Sequence, residues 1–101
     1  MSYIPEHLKR SNIRAEVIKR DKRTCQYCGK KNLRGRSLHV DHITSDTEGG
    51  AYTVVNLMVT CAQCNFRKGK RNVADYIVSR LKALELEKQR LTLLLEEHRT
   101  S

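Results

Sequence analysis

Aromatic side chains are scarce in this 101-residue chain, which has no tryptophan and one phenylalanine, Phe66. A core of this size must be built mainly from Leu, Ile and Val, and a domain so thinly supplied gains from a structural metal. Proline occurs once, at Pro5, closing off a short N-terminal segment. Long apolar runs are also missing. The first twenty residues include Glu6, His7, Lys9, Arg10 and Arg14, which excludes the pattern of a signal peptide or a membrane span and points to the cytoplasm.

Acidic residues are few, 11 against 20 basic ones, for a net charge of +9. Residues 9–36 hold eleven Lys and Arg offset only by Glu16 and Asp21, residues 67–71 add four more, and residues 72–101 balance to zero. So concentrated a basic surface points to a polyanion, with DNA as the expected partner and no role for a membrane.

Against these absences stand four cysteines, all in C-x-x-C pairs: Cys25 with Cys28, and Cys61 with Cys64. In a reducing compartment this spacing favours metal over disulfide, and four thiolates close a tetrahedral zinc site of the structural kind. A redox C-x-x-C would lack its βαβ context and would not need two copies. The long interval between the pairs leaves room for a complete strand-loop-strand insert.

Periodicity predicts a short basic helix over 12–21, with Ser11 or Asn12 as its cap and Arg10, Arg14 and Arg20 on its exposed side. A zinc knuckle follows at 24–29, then a strand at 38–43, a polar loop containing Gly49 and Gly50, a pairing strand at 54–59, and a helix from 62 to about 70. Asn72 and Asp75 form a capping pair opening a last helix over 73–99. Along it Ile77, Leu81, Leu84, Leu91 and Leu95 trace a heptad seam that Lys88 interrupts. This helix is left with two destinations, folding back on its own chain or pairing outside it, as a homodimer or in a larger complex.

Between the cysteine pairs lie Leu38-His39-Val40-Asp41-His42-Ile43, then Gly49-Gly50, Asn56-Leu57 and Cys61-Ala62-Gln63-Cys64-Asn65-Phe66-Arg67-Lys68-Gly69. In order and spacing, from about residue 20 to 71, these segments resemble the HNH endonuclease family. Cys25-Gln26-Tyr27-Cys28-Gly29 is similar to its zinc-binding subgroup. The resemblance implies an α+β fold: a small ββα-metal core with a four-cysteine structural zinc site, a basic N-terminal helix and a long C-terminal helix, all in one domain over 1–101. It further implies a phosphodiester hydrolase acting on DNA and nicking as a monomer.

Carried over by the same resemblance, Asp41 and Asn65 become ligands of a catalytic Mg²⁺ or Mn²⁺, His42 the general base, and Asn56 the residue fixing the loop that orients His42. The hard oxygens of Asp41 and Asn65 suit such a cation. Arg14, Arg20, Arg67, Lys68, Lys70 and Arg71 are expected to contact DNA phosphates. Two departures stand out: Asn65 occupies a position often held by His, and Thr44-Ser45 replaces a frequent proline. His39 is expected in a supporting or exposed role, and Tyr27 and Tyr52 in packing. Strict strand alternation sends Asp41 and His42 to opposite faces, so the strand should bend or end there. The competing functions are a non-catalytic zinc-dependent DNA-binding module and an accessory subunit of a phage or restriction complex.

Overall fold

A computed structural model describes residues 3–99. Helix α1 (Arg10–Asp21) leads into strand β1 (Leu38–His42), strand β2 (Leu57–Cys61), helix α2 (Ala62–Lys68) and helix α3 (Val73–Arg99). The strands pair antiparallel, Leu38 opposite Cys61, Val40 opposite Val59 and His42 opposite Leu57. One face of this ribbon, with Leu38, Leu57 and Val59, packs on Ile13 and Val17 of α1 and on Leu33. The other carries His39 and Asp41 towards α2.

Helix α1 begins earlier than the expected 12–21, and neither Ser11 nor Asn12 caps it. Its N-cap is Lys9, without a side-chain bond. Asn12 is engaged elsewhere, donating from Nδ2 to the Glu6 carbonyl at 2.7 Å and to Glu6 Oε1 at 3.1 Å. The preceding 3₁₀ turn, Glu6–Leu8, is thereby tied to the helix.

The second strand is displaced from the expected 54–59 because Val54–Asn56 closes into a 3₁₀ turn. Starting at Leu57, β2 ends on Cys61, which is also the N-cap of α2. The edge of β2 away from β1 is covered by α1. Arg20 donates to the carbonyls of Val54 at 2.7 Å and Leu57 at 2.6 Å, and Asp21 accepts from the Val59 amide at 2.9 Å. These bonds satisfy strand groups that would otherwise invite edge pairing.

Helix α2 is a little shorter than its expectation and stops at Gly69, whose φ of 59° suits a residue without a Cβ. Asn72 caps α3 as expected, its Oδ1 accepting from the Asp75 amide at 2.9 Å. Tyr76 fastens the first turn, 1% exposed and edge-on to Tyr27 of the zinc knuckle at 4.7 Å between centroids. From Leu81 to Arg99 every residue of α3 is exposed, so among the described residues the helix does not fold back. The molecule measures 74 × 29 × 19 Å, with a radius of gyration of 18.1 Å; a compact domain of this length would have about 13 Å. No helix among the described residues is long and apolar enough to cross a membrane.

Candidate functional site

The knuckle after α1 is shaped by its backbone. The Gly29 amide returns to the Cys25 carbonyl at 2.9 Å, the Cys25 amide bonds the Lys30 carbonyl at 2.9 Å, and Gly29 takes φ 77° to permit the turn. The strand β2 to helix α2 junction supplies the other pair, with the Cys61 Sγ accepting from the Cys64 amide at 3.3 Å. All four sulfurs lie within 4.8 Å of one another. Cys28 and Cys61 are 3.8 Å apart, sulfur to sulfur, too far for a disulfide. A tetrahedron with Zn–S bonds near 2.3 Å has edges of about 3.8 Å, so the donor set fits zinc.

Electrostatics agree with that fit. Burial raises the Cys25 thiol, but backbone amides of Cys28, Cys61 and Tyr27 outweigh it and bring the group down to about 7. Burial pushes Cys64 up to about 12, reinforced by Cys61, and raises Cys28 as well. Four thiols packed this closely cannot all ionise without a cation among them.

A second cluster forms where α2 crosses the outer face of the ribbon. On β1, His39 and Asp41 are two residues apart and share a face; on α2, Asn65 and Lys68 are three apart and share another. Asn65 Nδ2 lies 2.9 Å from His39 Nδ1, and Lys68 Nζ lies 2.8 Å from Asp41 Oδ2. His39 Nε2 faces the Arg36 carbonyl at 3.1 Å. A carbonyl only accepts, so Nε2 carries the proton, Nδ1 receives the Asn65 amide hydrogen, and the Asn65 Oδ1 is left for another partner. A carboxylate and an amide oxygen thus come to one interface, a donor set of the kind hard divalent cations take.

His42 lies elsewhere. The ladder runs through Asp41 and β1 ends on His42, as expected, with alternation holding to that last residue. The His42 ring meets Tyr52 edge-on at 5.8 Å, and Arg10 stacks over the same Tyr52 at 4.5 Å. The two residues are linked through the backbone, the His42 amide donating to Asp41 Oδ1 at 3.0 Å.

Beyond His42 the loop is pinned by Asn56. Its Nδ2 donates to the carbonyls of Thr44 at 3.1 Å and Ala51 at 2.8 Å, and its Oδ1 accepts from the Thr44 amide at 2.8 Å. Both ends of the excursion are thereby held to one side chain. Gly50 passes so close that a Cβ there would strike the Thr44 and Ser45 carbonyls.

Residues 25–71, a little under half of the chain, match the family model of the HNH endonuclease. The chain carries an HNH domain. No curated protein matches the chain. The HNH domain spans both cysteine pairs, the whole ribbon and α2, leaving α1 and α3 as flanking elements.

Around the HNH domain the six expected phosphate contacts separate into two groups. Arg14, Arg67 and Lys70 are exposed. Lys68 is 4% exposed and paired with Asp41, and Arg20 is engaged with β2. Arg71 closes α2, its Nε and Nη2 bonding the Lys68 and Arg67 carbonyls while it lies over the Tyr76 ring. Lys68, Arg20 and Arg71 therefore have internal work in the fold. Arg23 and Arg34, not singled out by motif, line one shallow cavity with Arg14. The signal that pointed to them was the density of positive charge over 9–36.

Proposed function

We propose that this chain is a divalent-metal-dependent DNA endonuclease, hydrolysing one phosphodiester bond and nicking one strand per chain. The observation that carries the proposal is the meeting of Asp41 on β1 with the Asn65 and Lys68 face of α2, where His39 turns the Asn65 amide so that its oxygen remains available. A DNA-binding module alone needs none of these residues in that arrangement.

Asp41 and Asn65 would hold Mg²⁺ or Mn²⁺, which when bound supplies stabilisation for the charge developing on the phosphate and the departing 3′ oxygen. The His42 imidazole takes a proton from the attacking water, whose oxygen bonds phosphorus as the bond to the 3′ oxygen breaks. Asn56 holds the following loop, and Tyr52 with Arg10 restrains the imidazole from the other side. Since Asp41 and His42 leave the strand on opposite sides, the scissile phosphate has to lie across the end of β1. Arg14, Arg23, Arg34, Arg67 and Lys70 provide backbone contacts that carry no base preference.

The test is incubation of supercoiled plasmid with the zinc-loaded chain and Mg²⁺ or Mn²⁺, beside His42→Ala of equal zinc content. Nicked product from the first and none from the second is expected. Equal cleavage by both removes His42 from the mechanism, and silence from both, with DNA still bound, favours the non-catalytic module.

A further inference from the structure

From Leu81 to Arg99 every residue of α3 is exposed, whereas most helices in proteins draw their stability from packing an apolar face. Val78, Leu86, Leu93 and Leu94 are exposed apolar residues at other positions around the helix, but five more form one continuous stripe. Ile77, Leu81, Leu84, Leu91 and Leu95, with Lys88 in sequence, follow one another at steps of four and three, the 3.5-residue period of a coiled-coil seam. The four seam leucines are 47–61% exposed. Tyr76 is buried against the knuckle and Ile77, at the start of the stripe, lines a shallow cavity with Ile43, Thr44 and Glu48, whereas from Leu81 onward the stripe is exposed.

We propose that α3 pairs in parallel with α3 of a second copy of this chain. The seam assigns Leu81, Lys88 and Leu95 to one set of core positions and Ile77, Leu84 and Leu91 to the other, and charge decides both occupant and direction. In a parallel pair Arg80 flanks Glu85 of the second copy, twice by symmetry, and Glu87 lies beside the Lys88 layer. In an antiparallel pair with the same seam fully overlapped, Glu85 faces Glu85 and Glu87 faces Glu87 across the twofold axis. Like charges there are unfavourable, and Lys88 would sit opposite Leu84. Lys88 weakens the parallel seam but sets its register, the best-attested use of a single polar core residue. Parallel pairing brings both HNH domains to the same end of the helices, so one particle could address both strands of a duplex.

Sedimentation equilibrium of the zinc-loaded full chain, without DNA, tests this independently of any nuclease activity. A reversible dimer is expected. Leu84→Ala, which keeps helix propensity, should weaken it on the order of 100-fold at unchanged zinc content and helicity, and Lys88→Leu should tighten it about tenfold or more. Arg80→Glu should weaken pairing about fivefold, and adding Glu85→Arg should restore it. A chain that stays monomeric at its highest soluble concentration overturns the proposal, as does a dimer indifferent to Leu84→Ala. A dimer that fails to recover in the double charge exchange overturns the parallel arrangement.

Discussion

Lys68 and Asp41 form a buried ion pair between α2 and β1, with Nζ 2.8 Å from Oδ2 and side-chain exposures of 4% and 16%. Asp41 spends its other oxygen on the His42 amide at 3.0 Å. The proposed metal ligand is thus also a structural anchor, and a positive charge from the protein already accompanies it. A cation binding there would share the carboxylate with Lys68 or displace it.

Lys68→Met removes that companion while keeping most of the volume. Breaking a buried pair from one side costs about 3–5 kcal/mol, because the remaining charge stays desolvated. A loss of about 3 kcal/mol in urea unfolding of the zinc-loaded chain is expected without added Mg²⁺ or Mn²⁺, with part of it regained on adding Mn²⁺. A variant whose stability is indifferent to Mn²⁺ would count against Asp41 as a metal ligand.

Zinc uptake should release protons. Burial holds Cys64 up to about 12 and Cys28 above its ordinary range, whereas Cys25 stands at about 7. Calorimetry in two buffers of different ionisation enthalpy should therefore give different apparent heats at neutral pH, with affinity rising with pH. Chelation should unfold the HNH domain; native circular dichroism after complete zinc removal would contradict a structural role.

Asp21 supports stability in a defined pH window. Burial raises its carboxyl, but the bonds from Arg20 and the Val59 amide prevail and the net shift is downward. A lowered folded value means that the contribution is present above the unfolded value of about 3.9 and is lost as pH falls through the folded one. Asp21→Asn should cost about 2 kcal/mol at neutral pH and less in acid. An equal loss at neutral pH and at about pH 2.5, below the unfolded value, would refute the assignment.

Asn56→Ala deletes three bonds to the backbone of the 44–51 loop. Amide exchange at Thr44 should accelerate, and nicking should fall at unchanged zinc content. Gly50→Ala should act in the same direction, since its Cβ would collide with two carbonyls. Full activity in both variants would separate this loop from the function of His42.

DNA affinity should drop about 500-fold between roughly 50 and 200 mM salt if about five phosphates are neutralised. Arg23→Ala and Arg34→Ala should each flatten the salt slope. Arg20→Ala should lower the unfolding midpoint instead, because its guanidinium serves Val54 and Leu57. A salt slope that changes only with Arg20→Ala would reverse this division.

The cysteine pairs, the Asp41-His42 step, Asn56, Asn65 and the extent of α3 were legible in the chain, because thiolate spacing, motif order and capping chemistry are local properties. Strand β2 was displaced from its expected position because the apolar run around Val54 serves equally as strand or turn, and a side chain at Asn56 chose between them. The start of α1 was misplaced for a similar reason, since Asn12 found a partner in Glu6. The basic residues looked alike in sequence, yet the fold buried Lys68 beside Asp41 and engaged Arg20 and Arg71, leaving Arg23 and Arg34 in one cavity with Arg14. The sequence by itself determined which donors the chain possesses and how far apart along the backbone they lie. Only the tertiary structure decided which charges face solvent and which face each other, because burial and pairing depend on contacts between residues distant in the chain, such as Asp41 with Lys68 and His39 with Asn65.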